Sequence, residues 1–358
     1  MPARPPKEGD VIGDGAYKLG AYLGQGRFSV VFACHPLRAG ARVKMAAKIP
    51  KRSYDKDARE EVAMMRACHL ERPECPLVRM LDVVEPCTVV MESMDGGDLM
   101  DRTFAWPQLC ALYAQACRGV AWLHARGHLH CDIKPENMLL NADQTVLRLC
   151  DVGNAQELHL KNELPRSTFY YRSPETLLRL APYGPEVDVW ALGCCAYESF
   201  TGEILFDVDN LTEEDDDDSS SYYSCTESSG SEASTDQDNP PKAPKKMRWE
   251  SSSSSESEDE EKEQQETLAH LGQVQALCGV LPKAWRQRKR KFFNARGQLF
   301  AFDPPPPFGS MVDKIEHDCP TDKEKDMPRV LALLQPAFRY KKRASVQELH
   351  RAFAVSAQ

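Results

Sequence analysis

The stretch H-C-D-I-K-P-E-N-M-L-L, His130 to Leu140, constrains this chain more than any other. It sets an Asp, a Lys two places on and an Asn three places beyond that. At that spacing Asp132 can accept a proton from a hydroxyl, Lys134 can neutralise a nucleotide's γ-phosphate, and Asn137 can hold Mg2+. A strand-like V-L-R-L-C, Val146 to Cys150, then leads into D-V-G, Asp151 to Gly153, where Asp151 supplies a second metal-binding group. Two such motifs at this separation rarely coincide by chance, so the pair points to phosphoryl transfer rather than to a structural turn.

The chain before the loop supplies what a nucleotide site needs. In A-Y-L-G-Q-G-R-F-S-V-V-F-A-C, Ala21 to Cys34, apolar residues flank a Gly-rich tip, the pattern of a β-hairpin. Gly24, Gln25 and Gly26 let backbone approach phosphates, with Phe28 as a shield from water. Ser29 stands where a third Gly is commoner, and Val31 would cover a purine. Taken alone, this pattern fits a plain hairpin turn equally well. K-M-A-A-K-I, Lys44 to Ile49, reads as the next strand. Its Lys48 is the candidate for the α/β-phosphates, and Ala46 is small enough to leave room for adenine. A helix over Asp55–Cys68 follows, with Val62, Met65 and His69 on an inward face. Glu61 is the expected partner of Lys48, with Glu60 the competitor; Glu61 puts Met65 one turn along the same face. C-T-V-V-M-E-S-M, Cys87 to Met94, is a strand ending in a hinge. Met91 would line the back of the adenine pocket, the backbone near Glu92 and Met94 would bond the base, and Leu139 would form its floor. Asp98 is a candidate helix cap. Trp106–Arg126 reads as a central buried helix with Pro107 in its first turn.

Charge divides the chain unevenly. Leu211 to Glu266 carries 18 acidic and 5 basic residues, so this stretch is −13 and the remainder +4, against −9 overall. Its Ser, Asp and Glu runs cannot bury enough apolar surface to offset ordering entropy, and it reads as a disordered insert. Several of its serines precede acids and suit an acid-directed kinase acting on this chain. Pro240–Arg248 and Arg286–Lys291 resemble nuclear-import signals. Residues 1–10 have no apolar core of a leader, and no apolar run approaches a membrane span. The thirteen cysteines read as reduced thiols. Cys68, His69 and Cys75 lie close together without a second ligand pair, so packing is preferred over zinc.

With these residues assembled, the chain resembles the eukaryotic protein kinases, and among them the CMGC group and its SR-protein kinases. D-V-G-N-A (Asp151–Ala155), K-F-F-N-A-R-G-Q-L (Lys291–Leu299), K-K-R-A-S (Lys341–Ser345) and T-G-E-I-L-F (Thr201–Phe206) carry that closer likeness. The resemblance implies an α+β bilobal fold: extension 1–16, β-rich N-lobe 17–92, mainly helical C-lobe 93–210 and 267–358, and the acidic insert 211–266 between the two C-lobe parts. It implies Mg·ATP as phosphoryl donor and protein Ser/Thr hydroxyls as acceptors, on Arg/Ser-rich substrates. It implies a nuclear or cytoplasmic monomer without nucleic-acid or membrane binding. Lys48, Glu61, Asp132 and Lys134 would be catalytic, with Asn137 and Asp151 on the metal. Glu175 in S-P-E would pair with Arg343, Asp188 would brace the catalytic loop, and Thr168 would tie the activation segment to Asp132 and Lys134. Glu136 would help to receive a substrate Arg. Cys131 replaces the usual Arg before the catalytic Asp, which implies activity without activation-loop phosphorylation. The alternative is a pseudokinase or a scaffold whose acidic insert binds basic partners.

Overall fold

In this computed structural model the described residues are 5–26, 28–37, 44–51, 55–160, 162–208, 256–289, 291–300 and 308–357. They form the two lobes that the resemblance implies. The N-lobe is a six-stranded antiparallel sheet built from β1 (Val11–Ile12), β2 (Tyr17–Gln25), β3 (Ser29–Pro36), β4 (Met45–Pro50), β5 (Met80–Val84) and β6 (Thr88–Glu92). Its strand order is β1-β2-β3-β4-β6-β5. Val11 and Ile12 lie in what reads as an extension, yet they pair with Lys18 and Tyr17 and start the sheet. Alternation along β4 divides its side chains. Ala47 joins Leu19, Phe32, Cys34, Val84 and Val90 in a core on one face, while Ala46 and Lys48 take the other face.

Helix α1 (Asp55–Ala67) packs on that second face through Val62 and Met65, each about 95% buried. It ends one residue earlier than expected. His69 lies beyond it with φ +58° and a side chain 41% exposed beside Glu71, so it is not on the inward face. The reversal at the helix end turns it away.

The C-lobe is organised on two buried helices, α2 (Trp106–His124) and α4 (Glu186–Thr201). Helix α4 is apolar around nearly its whole circumference, the signature of a helix enclosed by others. Each buried leucine of α2, such as Leu109 and Leu123, contributes about 1.5–3 kcal/mol by leaving water. Trp190 on α4 stacks on Phe206 at 5.5 Å and meets Phe338 edge-on at 5.0 Å. A Cβ on Gly193 would lie 2.8 Å from the Phe338 ring, which is why this turn of α4 carries none. Around this core pack α3 (Pro174–Leu177), α5 (Glu256–Cys278), α6 (Lys283–Arg288), α7 (Met311–Asp318), α8 (Met327–Leu334) and α9 (Val346–Ser356). Helix α9 starts with a capping box between Ser345 and Glu348 and lies along α2, with Tyr113 and Phe353 at 5.5 Å.

Residues 209–255 lie outside the described residues, and with them most of the acidic stretch and the basic run Pro240–Arg248. The end of that stretch differs from expectation: α5 starts at Glu256, inside the stretch read as a disordered insert to Glu266. Its apolar half, Ala269, Leu271 and Val274, is buried and fixes the helix. Extending it backwards through Glu, Lys and Gln, all good helix formers, costs little. The short helices α6 and α7 fall in stretches with too few residues for periodicity to register.

Candidate active site

The site lies where the two lobes face each other, and a hairpin, a helix and two loops build it. Antiparallel pairing puts opposed residues on the same face of the sheet. Val31 is opposite Lys48, and Ala46 lies between Ala33 and Met91, so Val31, Ala46, Lys48 and Met91 share one surface. The Gly-rich tip is closed by Gly26 N–H on the Ser29 carbonyl at 2.9 Å. It is tied to β4 by Lys51 Nζ on the Gly26 carbonyl at 2.8 Å. A Cβ on Gly24 or Gly26 would meet nothing within 4 Å, so the space beside this backbone is open. Ser29 is buried, and Gln25 pairs with Val30. At the hinge the Glu92 N–H is spent on the Arg79 carbonyl (3.0 Å), and its side chain holds Arg79 N–H and Arg148. Glu92 would therefore meet a base through its carbonyl, as an acceptor. The chain leaves through Ser93 and Met94 into β7 (Gly97–Asp98), which joins a three-stranded sheet with β9 (Met138–Leu140) and β10 (Leu147–Leu149). Met138 and Leu140 are buried on one side of β9, which leaves Leu139, paired with Asp98, facing the other. Asp98 caps no helix. Its carboxylate accepts the Met100 N–H at 3.0 Å, a local turn, and α2 starts further on at Trp106. A backbone crossing fixes this corner: a Cβ on Gly96 would fall 2.1 Å from the Asn141 carbonyl oxygen.

Lys48 meets Glu61 at 2.6 Å and Asp151 at 3.2 Å. Glu60, the competitor, is exposed and lies 3.7 Å from Lys56. Burial works against the Lys48 charge, but Asp151 and Glu61 more than compensate and raise its pKa. Lys48 in turn holds the Asp151 carboxyl below the usual carboxylate range, so a permanent cation and anion face the cleft.

The catalytic loop is held from below. Asp188, at the start of α4, accepts the His130 N–H and the Cys131 N–H, each at 2.9 Å, and lies 2.8 Å from His124 Nε2. Burial opposes its charge, yet these partners carry its pKa below the ordinary value. They also hold Cys131 at φ +68°, a left-handed geometry uncommon for a side-chain-bearing residue. Cys131 is buried in a cluster with Leu129, Tyr183 and Val187. The long cation usual at its position would have to be buried there.

Asp132 is clamped on both oxygens. Thr168 donates its N–H (3.0 Å) and its hydroxyl (2.8 Å) to Oδ1, and Asn154 donates to Oδ2 at 3.3 Å. Asn137 donates its amide N–H to the Asp132 carbonyl at 2.8 Å, and its side-chain oxygen, without a hydrogen-bond partner among the described residues, is left as a metal ligand. Lys134 lies 3.7 Å from Glu136, its nearest ion-pair partner. The expected tie from Thr168 therefore reaches Asp132, with no hydrogen bond to Lys134 among the described residues. His130 bonds the Cys150 carbonyl through Nε2 (3.1 Å) and accepts the Asp132 N–H on Nδ1 (3.3 Å), so it joins the two loops. Cys150 has its pKa pushed up by burial and by Asp151, which keeps it a protonated, poor nucleophile.

Glu175 takes Arg343 in a two-point pair at 2.6 and 3.1 Å, as expected. Two residues of this neighbourhood escaped the sequence reading. The Asn154 contact depends on the chain folding back over Asp132. Glu198, on α4, receives the Tyr171 hydroxyl at 2.8 Å. A carboxylate in the apolar body of the helix, past its first turn, was the available signal for it.

The donor set suits Mg2+ with a triphosphate. Asn137 and Asp151 offer two hard oxygen ligands and leave the rest of a six-coordinate shell to phosphate and water. The open backbone of the Gly-rich tip and the charged Lys48 suit the phosphates themselves.

Known proteins show corresponding similarity. A family model described as the protein kinase domain matches residues 17–268. Ribosomal protein S6 kinase 2 beta of Xenopus laevis is 30% identical over 207 residues, covering 54% of this chain and 32% of that protein. Cyclin-dependent kinase-like 2 of Homo sapiens is 31% identical over 208 residues (53% and 41%). Mitogen-activated protein kinase 13 of Mus musculus is 28% identical over 215 residues (55% and 57%). In each case the match spans less than two thirds of the relative's own length.

Proposed function

The chain belongs to the protein kinase family, and on that footing we propose that it is an active Ser/Thr kinase that needs no phosphate on its activation segment. One observation carries this reading. Side chains of this chain suffice to align the site: Lys48 holds Glu61 and Asp151, and Thr168 holds Asp132. The Asp132 carboxylate, fixed on Oδ1 by two donors, would take the acceptor hydroxyl's proton on Oδ2. Lys48 and Lys134 would place and neutralise the phosphates, with the backbone of Gly24–Gly26 over them. Asn137 and Asp151 would hold Mg2+, which when bound spreads the charge of the transferring group. Catalysis of this kind is positioning plus electrostatics. Packing of Leu129, Tyr183 and Val187 around Cys131 replaces the cation that a phosphate would have engaged.

We further propose substrates with Arg close to the target Ser, in keeping with the SR-protein-kinase likeness. Glu136 and Glu198 support this. Glu136 has a buried carboxylate oxygen with no hydrogen-bond partner among the described residues. Burial, opposed in part by the Tyr171 hydrogen bond and reinforced by Glu136 and Asp101, pushes Glu198 up to about 7. An incoming guanidinium would relieve both carboxylates. Nuclear import, resting on the basic runs, is part of the same proposal. Of the second run, Arg286 is engaged by the Leu281 and Gly297 carbonyls. A fluorescent fusion with and without Pro240–Arg248 tests it.

Transfer from Mg·ATP by the unphosphorylated full chain, beside Asp132→Asn, tests the activity. Acceptors would be an Arg-Ser repeat, a Ser-Pro and an acidic Ser peptide. Transfer to the Arg-Ser peptide, reduced at least about a hundredfold in the mutant, is expected. Transfer only to another acceptor removes the substrate class. ATP binding with no transfer to any acceptor favours the pseudokinase.

A further inference from the structure

Remote from the catalytic loop, α6 and the loop before α9 form an open groove of about 520 Å³ lined by Pro282, Lys283, Ala284, Trp285, Gln287, Tyr340 and Lys341. Its floor is a pair of aromatic rings, Trp285 and Tyr340, with centroids 6.0 Å apart and planes at 62°. The Tyr340 ring is fixed. Tyr340 donates to the Gly279 carbonyl (2.5 Å) and reaches that of Val274 (3.2 Å). The next loop residues are anchored by Arg343 on Glu175 and by the Ser345 capping box. Lys283 and Lys341 stand at the rim, exposed, with Lys342 beside them held at φ +54°. None of the three has an ion-pair partner among the described residues, and there the Trp285 indole N–H also has no acceptor. The positive field continues past the end of α6, where Arg288, Lys291 and Arg179 lie near Lys289 and, after burial, lower its pKa.

We propose that this groove docks an acidic peptide segment of a partner protein, with an apolar side chain on Trp285 and carboxylates at Lys283 and Lys341. Charge decides the occupant. Exposed, uncompensated ammonium groups beside a free indole donor suit carboxylates, and the aromatic floor gives an apolar anchor of the kind that dominates peptide recognition. A basic Arg-Ser segment would be repelled here, so this surface is distinct from the proposed substrate subsite and does not depend on phosphoryl transfer.

The test is fluorescence anisotropy with the full chain and a fluorescein-labelled peptide Glu-Asp-Glu-Leu-Glu-Asp-Glu, beside its Gln/Asn counterpart. Saturable binding of the acidic peptide only, weakened by added salt, is expected. Lys283→Glu with Lys341→Glu should weaken it at least about tenfold, as should Trp285→Ala. The remote pair Lys56→Glu and Arg59→Glu should leave it unchanged. Thermal unfolding of each variant checks that it folds; the double Lys variant changes only exposed side chains. Equal binding by the groove variants and the remote variant overturns the proposal. So does absence of binding by the wild type. A further variant with residues 211–255 replaced by a Gly-Ser linker separates the cause: binding that appears only there assigns the groove to the chain's own acidic stretch and not to a partner.

Discussion

Removing Arg343 from its pair with Glu175 should be the costliest single charge change outside the catalytic cleft. The two side chains are 4% and 7% exposed. Arg343 gives two hydrogen bonds to Glu175, one to the Glu186 carbonyl at 2.7 Å and one to the Arg339 carbonyl at 3.1 Å, and its guanidinium lies 5.0 Å from the Trp190 ring. Arg343→Met fills much of the volume but leaves a buried carboxylate and two carbonyls without the donors that Arg343 gave them. Breaking a buried pair from one side costs about 3–5 kcal/mol. For a chain of this size that is a fall in Tm of about 6–10 °C. Urea unfolding and calorimetry of the unphosphorylated protein measure it. Arg343→Lys should fall between, because a point charge cannot span both carboxylate oxygens. Arg343→Met combined with Glu175→Leu should recover at least about 2 kcal/mol of the loss, since two well-packed apolar groups leave nothing unpaired. An Arg343→Met variant within about 1 kcal/mol of wild type, or a double variant that loses the sum of the single ones, would show that the pair is not coupled in this way.

Three further outcomes are expected. Thr168→Val keeps shape and the backbone N–H but removes the hydroxyl from Asp132, so kcat should fall about tenfold to a hundredfold, the worth of one charged hydrogen bond. Thr168→Ser should restore it, and steady-state kinetics on the preferred peptide decide the matter. Glu61→Ala frees Lys48 to swing towards Asp151, and kcat/KM for ATP should drop at least about tenfold while Tm changes little. His270 is fully buried between the rings of Phe169 (5.0 Å) and Phe206 (5.4 Å), and neither ring nitrogen has a hydrogen-bond partner among the described residues. Burial, and secondarily Arg172, lower its pKa to about 3. The folded form therefore stays neutral while the unfolded chain takes up a proton below about pH 6.5. Its contribution is complete above that pH and is lost as pH falls towards 3, by about 1.4 kcal/mol per unit. Between about pH 6.5 and 4.5, His270→Leu should lose about 2–3 kcal/mol less than wild type in urea titrations; parallel pH profiles would contradict this.

What the sequence by itself determined is the set of roles that spacing encodes. Asp132, Lys134 and Asn137 stand on one short loop, Asp151 follows one strand later, and Lys48 alternates with Ala46 on β4, so local geometry alone presents each to the cleft. Glu61 was separable from Glu60 because a helix has only one inward face. Glu175 with Arg343 was legible through resemblance, not proximity, since 168 residues separate them. Tertiary structure alone decided the rest. Asn154 closes on Asp132, and His270 lodges between Phe169 and Phe206, through backbone paths that no periodicity describes. Asp98 looks like a helix cap until Gly96 and Asn141 cross and turn it into a strand. The first turns of α5 look unfoldable by composition. They are helical because the buried apolar half of the same helix has already met the cost of nucleation, and each added residue then needs only a hydrogen bond.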